Sequence, residues 1–339
     1  MLVTGGTRAN FTGLAAGRRW CASRVGVDVE KEGLAALPQI PVLSSGFIHV
    51  SALKSLGMLG LGRATPKICS ADATGRIDLA RMEEELKRLD GRPAILVGNA
   101  GEVNAGHFDP IANLAELAER YGAWLHVDGA FGLFAGASPR TQHLLDGTAG
   151  AHSVSADGHK WLNVPYDCGF TFVRERSLLE EAFYAGADYL PESEEDRPNY
   201  AYMAPEMSRR ARSLAVWATL KAYGRAGYRE IVERCLDNAG HVAQLVEEAP
   251  DMELLAPAPF NIVCFRYRPD GFPEEALDAL NLEIEERVLM DGRVYVGSTR
   301  WAGTVGFRPA FVNWRTTDDD AALVVEVVRD LGQQVRAGA

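Results

Sequence analysis

Seven short apolar runs, separated by segments of helical spacing, leave this chain few architectures to choose from. The runs are Leu2-Val3-Thr4, Pro41-Val42-Leu43, Lys67-Ile68-Cys69, Ala94-Ile95-Leu96-Val97, Trp124-Leu125-His126-Val127, Ser153-Val154-Ser155 and Phe170-Thr171-Phe172-Val173. Between them, Leu79, Met82, Leu86 and Leu89 recur every three or four residues, as do Ile111, Leu114, Leu117 and Ala118. That period puts one buried stripe on a helix. Asp78 and Asp109 stand at helix starts, and Pro110 takes the first helical position after Asp109. Strands that are apolar throughout, rather than alternating, are covered on both faces. The expected fold is therefore α/β: a mostly parallel seven-stranded sheet sandwiched by helices, with a smaller α+β C-terminal domain.

The length of 339 residues suits two domains. We expect the boundary in the helix headed by Leu214, Trp217, Leu220 and Lys221, giving a large domain over 1–222 and a small one over 223–339. In the latter, helices are expected over 228–247, 273–289 and 318–331, and strands over 262–267, 294–298 and 304–312. The polar stretch from Glu192 to Asn199 reads as an exposed, mobile loop. The formal net charge of −11 opposes nucleic acid or an anionic membrane as a partner. Cys21, Cys69, Cys168, Cys235 and Cys264 are odd in number and never form a CxxC pair. They read as reduced thiols of a cytoplasmic protein, and no metal site is expected. No signal peptide precedes Leu2-Val3-Thr4, and the expectation is of a chain that starts inside a folded unit with a segment missing upstream.

Chemistry concentrates at strand ends. In Ser155-Ala156-Asp157-Gly158-His159-Lys160-Trp161 a lysine follows a strand, bracketed by Ser, Asp and His. Most lysines are merely solvated, and alone Lys160 would be read so. In His126-Val127-Asp128-Gly129-Ala130 an aspartate closes an apolar strand ahead of small residues that leave room for a flat ligand; it serves equally as a helix cap. Thr4-Gly5-Gly6-Thr7-Arg8-Ala9-Asn10 is a glycine turn opening a helix, where free N–H groups and the helix dipole favour a phosphate.

Taken in order, from Gly5 to the region of Arg308, these residues resemble the group II amino-acid decarboxylases that depend on pyridoxal 5′-phosphate (PLP) and have the aspartate-aminotransferase type fold. Asp128-x-Ala130 and His159-Lys160-Trp161, continued by Leu162-Asn163-Val164-Pro165-Tyr166-Asp167-Cys168-Gly169, carry the resemblance most strongly. It implies that the large domain binds PLP and that Lys160 forms the Schiff base with it. It makes Asp128 the partner of the pyridine nitrogen, an attraction of roughly 4 kcal/mol at about 4 Å and an effective dielectric near 20. His49 would stack on one ring face and Ala130 lie on the other. Gly6 and Thr7 would hold the phosphate, helped by Ser155 and His159. Asn99 sits where many relatives have a threonine near the phenolic oxygen, and Glu102 and Val103 also depart from the family pattern, which leaves the substrate class open.

Tyr200 and Tyr202 fall in the polar loop where relatives carry a mobile proton-donating tyrosine, with plain loop tyrosines the alternative. Arg308 is a candidate for binding a substrate carboxylate, with a structural ion pair the alternative. The same cofactor residues serve decarboxylation, transamination or aldol cleavage. The resemblance favours a carboxy-lyase acting on an L-amino acid. An aminotransferase or another PLP lyase is the second reading, and a truncated, catalytically impaired protein that keeps the fold is the non-enzyme one. It also implies a homodimer, weakened by the missing upstream segment.

Overall fold

An apolar run of five or six residues buries its backbone only by pairing on both sides, and six of the seven strands run in one direction to do so. The computed structural model describes residues 1–190, 194 and 196–338, so Glu192, Ser193 and Glu195 of the expected loop lie outside the described residues. The strands are β1 (Leu2–Val3), β2 (Val42–Ser44), β3 (Lys67–Ile68), β4 (Ala94–Asn99), β5 (Ala123–Asp128), β6 (Ser153–Asp157) and β7 (Gly169–Val173). They lie in the order β1-β7-β6-β5-β4-β2-β3, with β7 antiparallel to both neighbours.

Both faces of the sheet are covered. Ile95, Val97 and Trp124 point to one face, where they meet Leu14 and Trp20 of α1 (Gly6–Arg24), Leu56 of α3 (Val50–Met58) and Leu178 of α7 (Arg176–Phe183). Leu96, Leu125 and Val127 point to the other, against Met82 of α4 (Leu79–Arg88) and Leu114 of α5 (Ile111–Tyr121). The period of two survives although both faces are apolar. Two short helices, α2 (Val29–Glu32) and α6 (Gly158–Trp161), complete this part.

Helix α1 lies unusually close to β5. A Cβ added at Gly13 would stand 2.8 Å from the His126 ring, and one at Gly17 would stand 2.8 Å from the Trp124 ring. Glycine is needed at both places for space, not for backbone freedom.

The chain forms two compact units, one of residues 1–100, 108–136 and 142–224, the other of 101–107, 137–141 and 225–339. The helical run α8 (Ser213–Glu248) is broken at Gly224, whose φ of 60° leaves the helical region, and the division falls there. The second unit has an antiparallel sheet ordered β10-β11-β9-β8, from β8 (Met252–Leu254), β9 (Phe265–Tyr267), β10 (Ser298–Trp301) and β11 (Thr304–Phe307), with α9 (Leu277–Asp291) and α10 (Asp318–Gly338). The strand expected over 294–298 lies later, at 298–301, because the Glu285 carboxylate takes the Ser298 N–H and hydroxyl at the turn into it.

Candidate functional site

In a parallel sheet the strand carboxyl ends and the following loops gather at one edge, and that is where the polar residues of the sequence motifs meet. A cavity of about 340 Å³ opens there. The β1–α1 turn contributes Gly5, Gly6 and Thr7, the start of α3 contributes His49 and Ser51, the segment after β5 contributes Ala130, and the β6–α6 junction contributes Asp157, His159 and Lys160.

The α1 end of the cavity is built for an anion. No side chain caps α1, and its first turn carries no acidic residue, so the N–H groups there keep their positive dipole end exposed to the cavity. The glycines let other groups come close: a Cβ at Gly6 would stand 2.7 Å from Asp157 Oδ2, and one at Gly5 would stand 3.0 Å from His159 Cε1.

Lys160 is held at the base of this cavity. Its Nζ lies 3.0 Å from Asp157 Oδ2 and 4.4 Å from the centre of the Phe131 ring. Asp157 Oδ1 is buried with no hydrogen-bond partner among the described residues, and His159 Nε2 is 3.6 Å from it. The His159 ring stacks on Tyr166 with centroids 4.0 Å apart, and its Nδ1 accepts the Cys168 N–H at 3.3 Å. Burial lowers the His159 pKa, against the pull of Asp157.

Asp128 ends β5 behind Ala130, whose N–H donates to Oδ1 at 3.1 Å. Its Oδ2 accepts from Asn10 Nδ2 at 2.7 Å, and the Ser155 hydroxyl is 3.2 Å from Oδ1. This carboxylate is buried among donors and forms no ion pair among the described residues. His49 caps α3, its Nδ1 accepting the Ser51 N–H, while its ring lines the cavity.

The structure thus brings Gly6, Thr7, His49, Ala130, His159 and Lys160 together, with Asp128 directly behind, and it reassigns other expected residues. Ser155 is fully buried with its hydroxyl 2.6 Å from Asn10 Oδ1, so it supports Asp128 rather than lining the α1 end as a phosphate ligand. Asn99 donates through Nδ2 to Asp109 at 2.8 Å and to Ser45 at 3.1 Å, which commits both amide hydrogens away from a cofactor oxygen. Tyr202 is 1% exposed and packs on Tyr184, which rules it out as a mobile donor. Tyr200 is 62% exposed but borders a different cavity, with Phe170 and Arg209.

Arg308 belongs to the second unit. Among the described residues it forms no ion pair, and its Nε is buried without a partner; burial lowers its pKa, with Glu102 acting in opposition. Glu102 accepts N–H groups of Asn104, Ala105 and His107, and burial raises its pKa.

Three contributors went unrecognised in the sequence: Asn10, His126 and Asp157. Asn10 offered one signal, a carboxamide on the otherwise small and apolar face of Ala9, Gly13 and Gly17.

A model described as the pyridoxal-dependent decarboxylase conserved domain matches residues 1–268. The chain is 29% identical over 342 residues to an aromatic-L-amino-acid decarboxylase of Bacillus atrophaeus, covering 99% of this chain and 69% of that one. It is 31% identical over 342 residues to an L-2,4-diaminobutyrate decarboxylase of Rhizobium meliloti, covering 98% and 66%. The chain therefore spans about two thirds of the length of these relatives. Among solved structures, Oryza sativa TDC with PLP and tryptamine superposes with a TM-score of 0.89 at 25% identity, over 99% of this chain and 70% of that one. Mouse CSAD in apo form gives 0.88 at 24% identity, over 98% and 71%, a likeness of fold.

Proposed function

The chain belongs to the pyridoxal-dependent decarboxylase family, and from that premise we propose that it removes the carboxylate of an L-amino acid as CO₂, with Lys160 as the residue that carries the cofactor. The observation that supports this most is the convergence of Lys160, His49, Ala130 and the uncapped first turn of α1 on one cavity, with the Asp128 carboxylate behind it.

These residues fit PLP. The α1 N–H groups suit its phosphate, Lys160 offers the amine for its aldehyde, and Asp128 accepts a proton-bearing ring nitrogen. The close approaches at Gly5 and Gly6 leave space that a side chain would fill. When bound, PLP supplies an electron sink for the pair left behind as the carboxylate departs. The protein does the rest. Asp128 would hold the proton on the ring nitrogen, aimed by two donors, the Asn10 amide and the Ala130 N–H. His49 and Ala130, which line the cavity, would hold the ring between them. Arg308, whose buried Nε has no partner among the described residues, is our candidate for binding a substrate carboxylate.

A proton must then be returned to carbon from a group that reaches substrate. Tyr200, 62% exposed before α8, is our candidate for this donor, although it borders a separate cavity here and must move to reach substrate; buried Tyr202 is not a candidate. Action as a homodimer is part of this reading, supported by Leu214, Trp217 and Leu220, which expose one face of α8 at 66%, 60% and 47%. The five free, buried cysteines accord with a cytoplasmic setting, and no helix among the described residues is long and apolar enough to cross a membrane.

The test is product analysis. Protein reconstituted with PLP is given a pool of L-amino acids, and mass spectrometry follows the amines, oxo-acids and CO₂. An amine with matching CO₂ is expected. Oxo-acids without CO₂ would make it an aminotransferase, and no product despite bound PLP would leave a fold without activity.

A further inference from the structure

Asn10, on the second turn of α1, is fully buried and uses every hydrogen-bonding capacity its side chain has. Nδ2 donates to Asp128 Oδ2 at 2.7 Å and to Ser51 Oγ at 3.0 Å. Oδ1 accepts from Ser155 Oγ at 2.6 Å and lies 2.9 Å from His126 Nε2.

The directions of these bonds follow from chemistry. An ionised Asp128 can only accept, so the NH₂ end of Asn10 must face it and the carbonyl end must face His126. A carbonyl can only accept, so His126 carries its hydrogen on Nε2. Its Nδ1, 2.7 Å from Ser153 Oγ, then accepts the serine proton, while that serine oxygen accepts the Trp124 indole N–H at 3.1 Å. Burial holds His126 neutral at ordinary pH, pushing its pKa down to about 4, which agrees with this assignment. On the other branch, Ser51 Oγ accepts from Asn10 and donates to His49 Nδ1 at 2.7 Å. His49 Nδ1 also accepts the Ser51 N–H at 3.2 Å, so its hydrogen sits on Nε2.

We infer that Asn10 is a positioning residue that fixes the Asp128 carboxylate and the His49 imidazole in one orientation, through a hydrogen-bond chain whose direction is set from Trp124 to the cavity. The inference rests on the reading of Asp128 and His49 as ring partners of PLP. Asn10 itself touches neither cofactor nor substrate, and an apolar side chain of its size would fill the same space without aiming either group.

The first measurement needs no variant and no cofactor. Nitrogen-15 NMR of histidine-labelled apoprotein should show both His126 and His49 as Nε2–H tautomers. Nδ1–H at either ring overturns the chain of bonds outright. Next come Asn10→Asp, which keeps shape and acceptors but loses donors, and Ser51→Ala, which cuts only the His49 branch. Asn10→Asp should shift both histidine signals in the apoprotein, and Ser51→Ala only that of His49. Asn10→Asp should also weaken PLP binding, read by fluorescence titration, by about 10- to 100-fold, the worth of a hydrogen bond to a charged group. Its kcat should fall over a similar range while KM changes little. Unshifted signals and parental PLP affinity in Asn10→Asp would overturn the proposal. If that variant does not fold, a Ser51→Ala protein whose His49 signal is unmoved does the same. Failure of PLP to attach at Lys160 in the parent protein would instead remove the reading on which the inference rests.

Discussion

Adding one methyl group at Gly13 should be among the most damaging small changes this protein can suffer, whereas the same change at Gly240 should help it. Both glycines sit inside helices, where alanine is favoured by about 1 kcal/mol. At Gly240 nothing lies within 4 Å of the added Cβ, so that preference stands alone. At Gly13 the methyl would lie 2.8 Å from His126 Cε1, 2.9 Å from its Nδ1 and 3.2 Å from Ser153 Oγ. The imidazole cannot swing aside, because it is fully buried and bonded at both nitrogens. Overpacking of this kind costs about 1–3 kcal/mol. Breaking the bond between Ser153 and His126 would cost about 1–3 kcal/mol more through buried groups left unsatisfied. The net for Gly13→Ala is a loss of about 1–5 kcal/mol after the helix preference is subtracted. For a unit of this size that lowers the melting midpoint by on the order of 2–20 °C, while Gly240→Ala should raise it by roughly 2–4 °C. Differential scanning calorimetry of both variants beside the parent decides the matter. A Gly13→Ala protein that melts at or above the parent temperature would refute the close packing of α1 on His126, and with it the basis of the Asn10 network.

Three further outcomes are expected. Borohydride reduction of the PLP-loaded protein, followed by peptide mapping, should find the label on Lys160 and not on the exposed helical residues Lys54 and Lys221; a label elsewhere, or none, would remove the central assignment. Asp128→Ala should retain some PLP through the α1 end and Lys160 but lose about a thousandfold in kcat, the equivalent of roughly 4 kcal/mol. Turnover within a few-fold of the parent would make Asp128 a structural residue. Stability should fall as the pH drops from 7 toward 4, because His126 and His152 take up protons near 6.5 when unfolded but only at about 4 when folded. With both folded values lowered, the unfolded state binds more protons throughout that window, and each histidine contributes a slope of up to about 1.4 kcal/mol per pH unit. Urea midpoints at pH 7.5, 6 and 5 that do not decline would contradict the neutral burial of these rings.

The seven-stranded sheet was legible because buried parallel strands are short apolar runs, and every expected run of the first unit lies on a strand. The second unit was harder to read. Val294-Tyr295-Val296 has strand composition, yet Tyr295 is 85% exposed and the pairing begins only at Ser298, where Glu285 fixes the turn. At the site, residues at strand ends were legible because catalytic groups in such sheets project from those ends. Asn10 and His126 were not, since their importance lies in pairing across more than a hundred residues, which no local pattern records. Ser155 and Asn99 were misassigned for the converse reason. Both lie near motif residues in sequence, but their side chains are engaged inward, Ser155 with Asn10 and Asn99 with Asp109 and Ser45.

The arrangement of α1 also bears on how the chain acquires its fold. Asn10 finds His126, Asp128 and Ser155 across separations of 116, 118 and 145 residues, so the helix is made early and its partners late. At roughly 5–20 residues per second, a ribosome would need about 7–30 s to deliver Ser155 after Asn10. Throughout that interval α1 must wait, with loop-closure entropy opposing every contact it will later make. Around Asn10 the waiting face is made of Ala9, Gly13, Ala16 and Gly17, small side chains with little apolar area to attract the wrong neighbour, the large Leu14 and Trp20 lying further along the helix. The small residues that let α1 press against β5 in the finished protein thus also keep it from sticking while β5 is still being made.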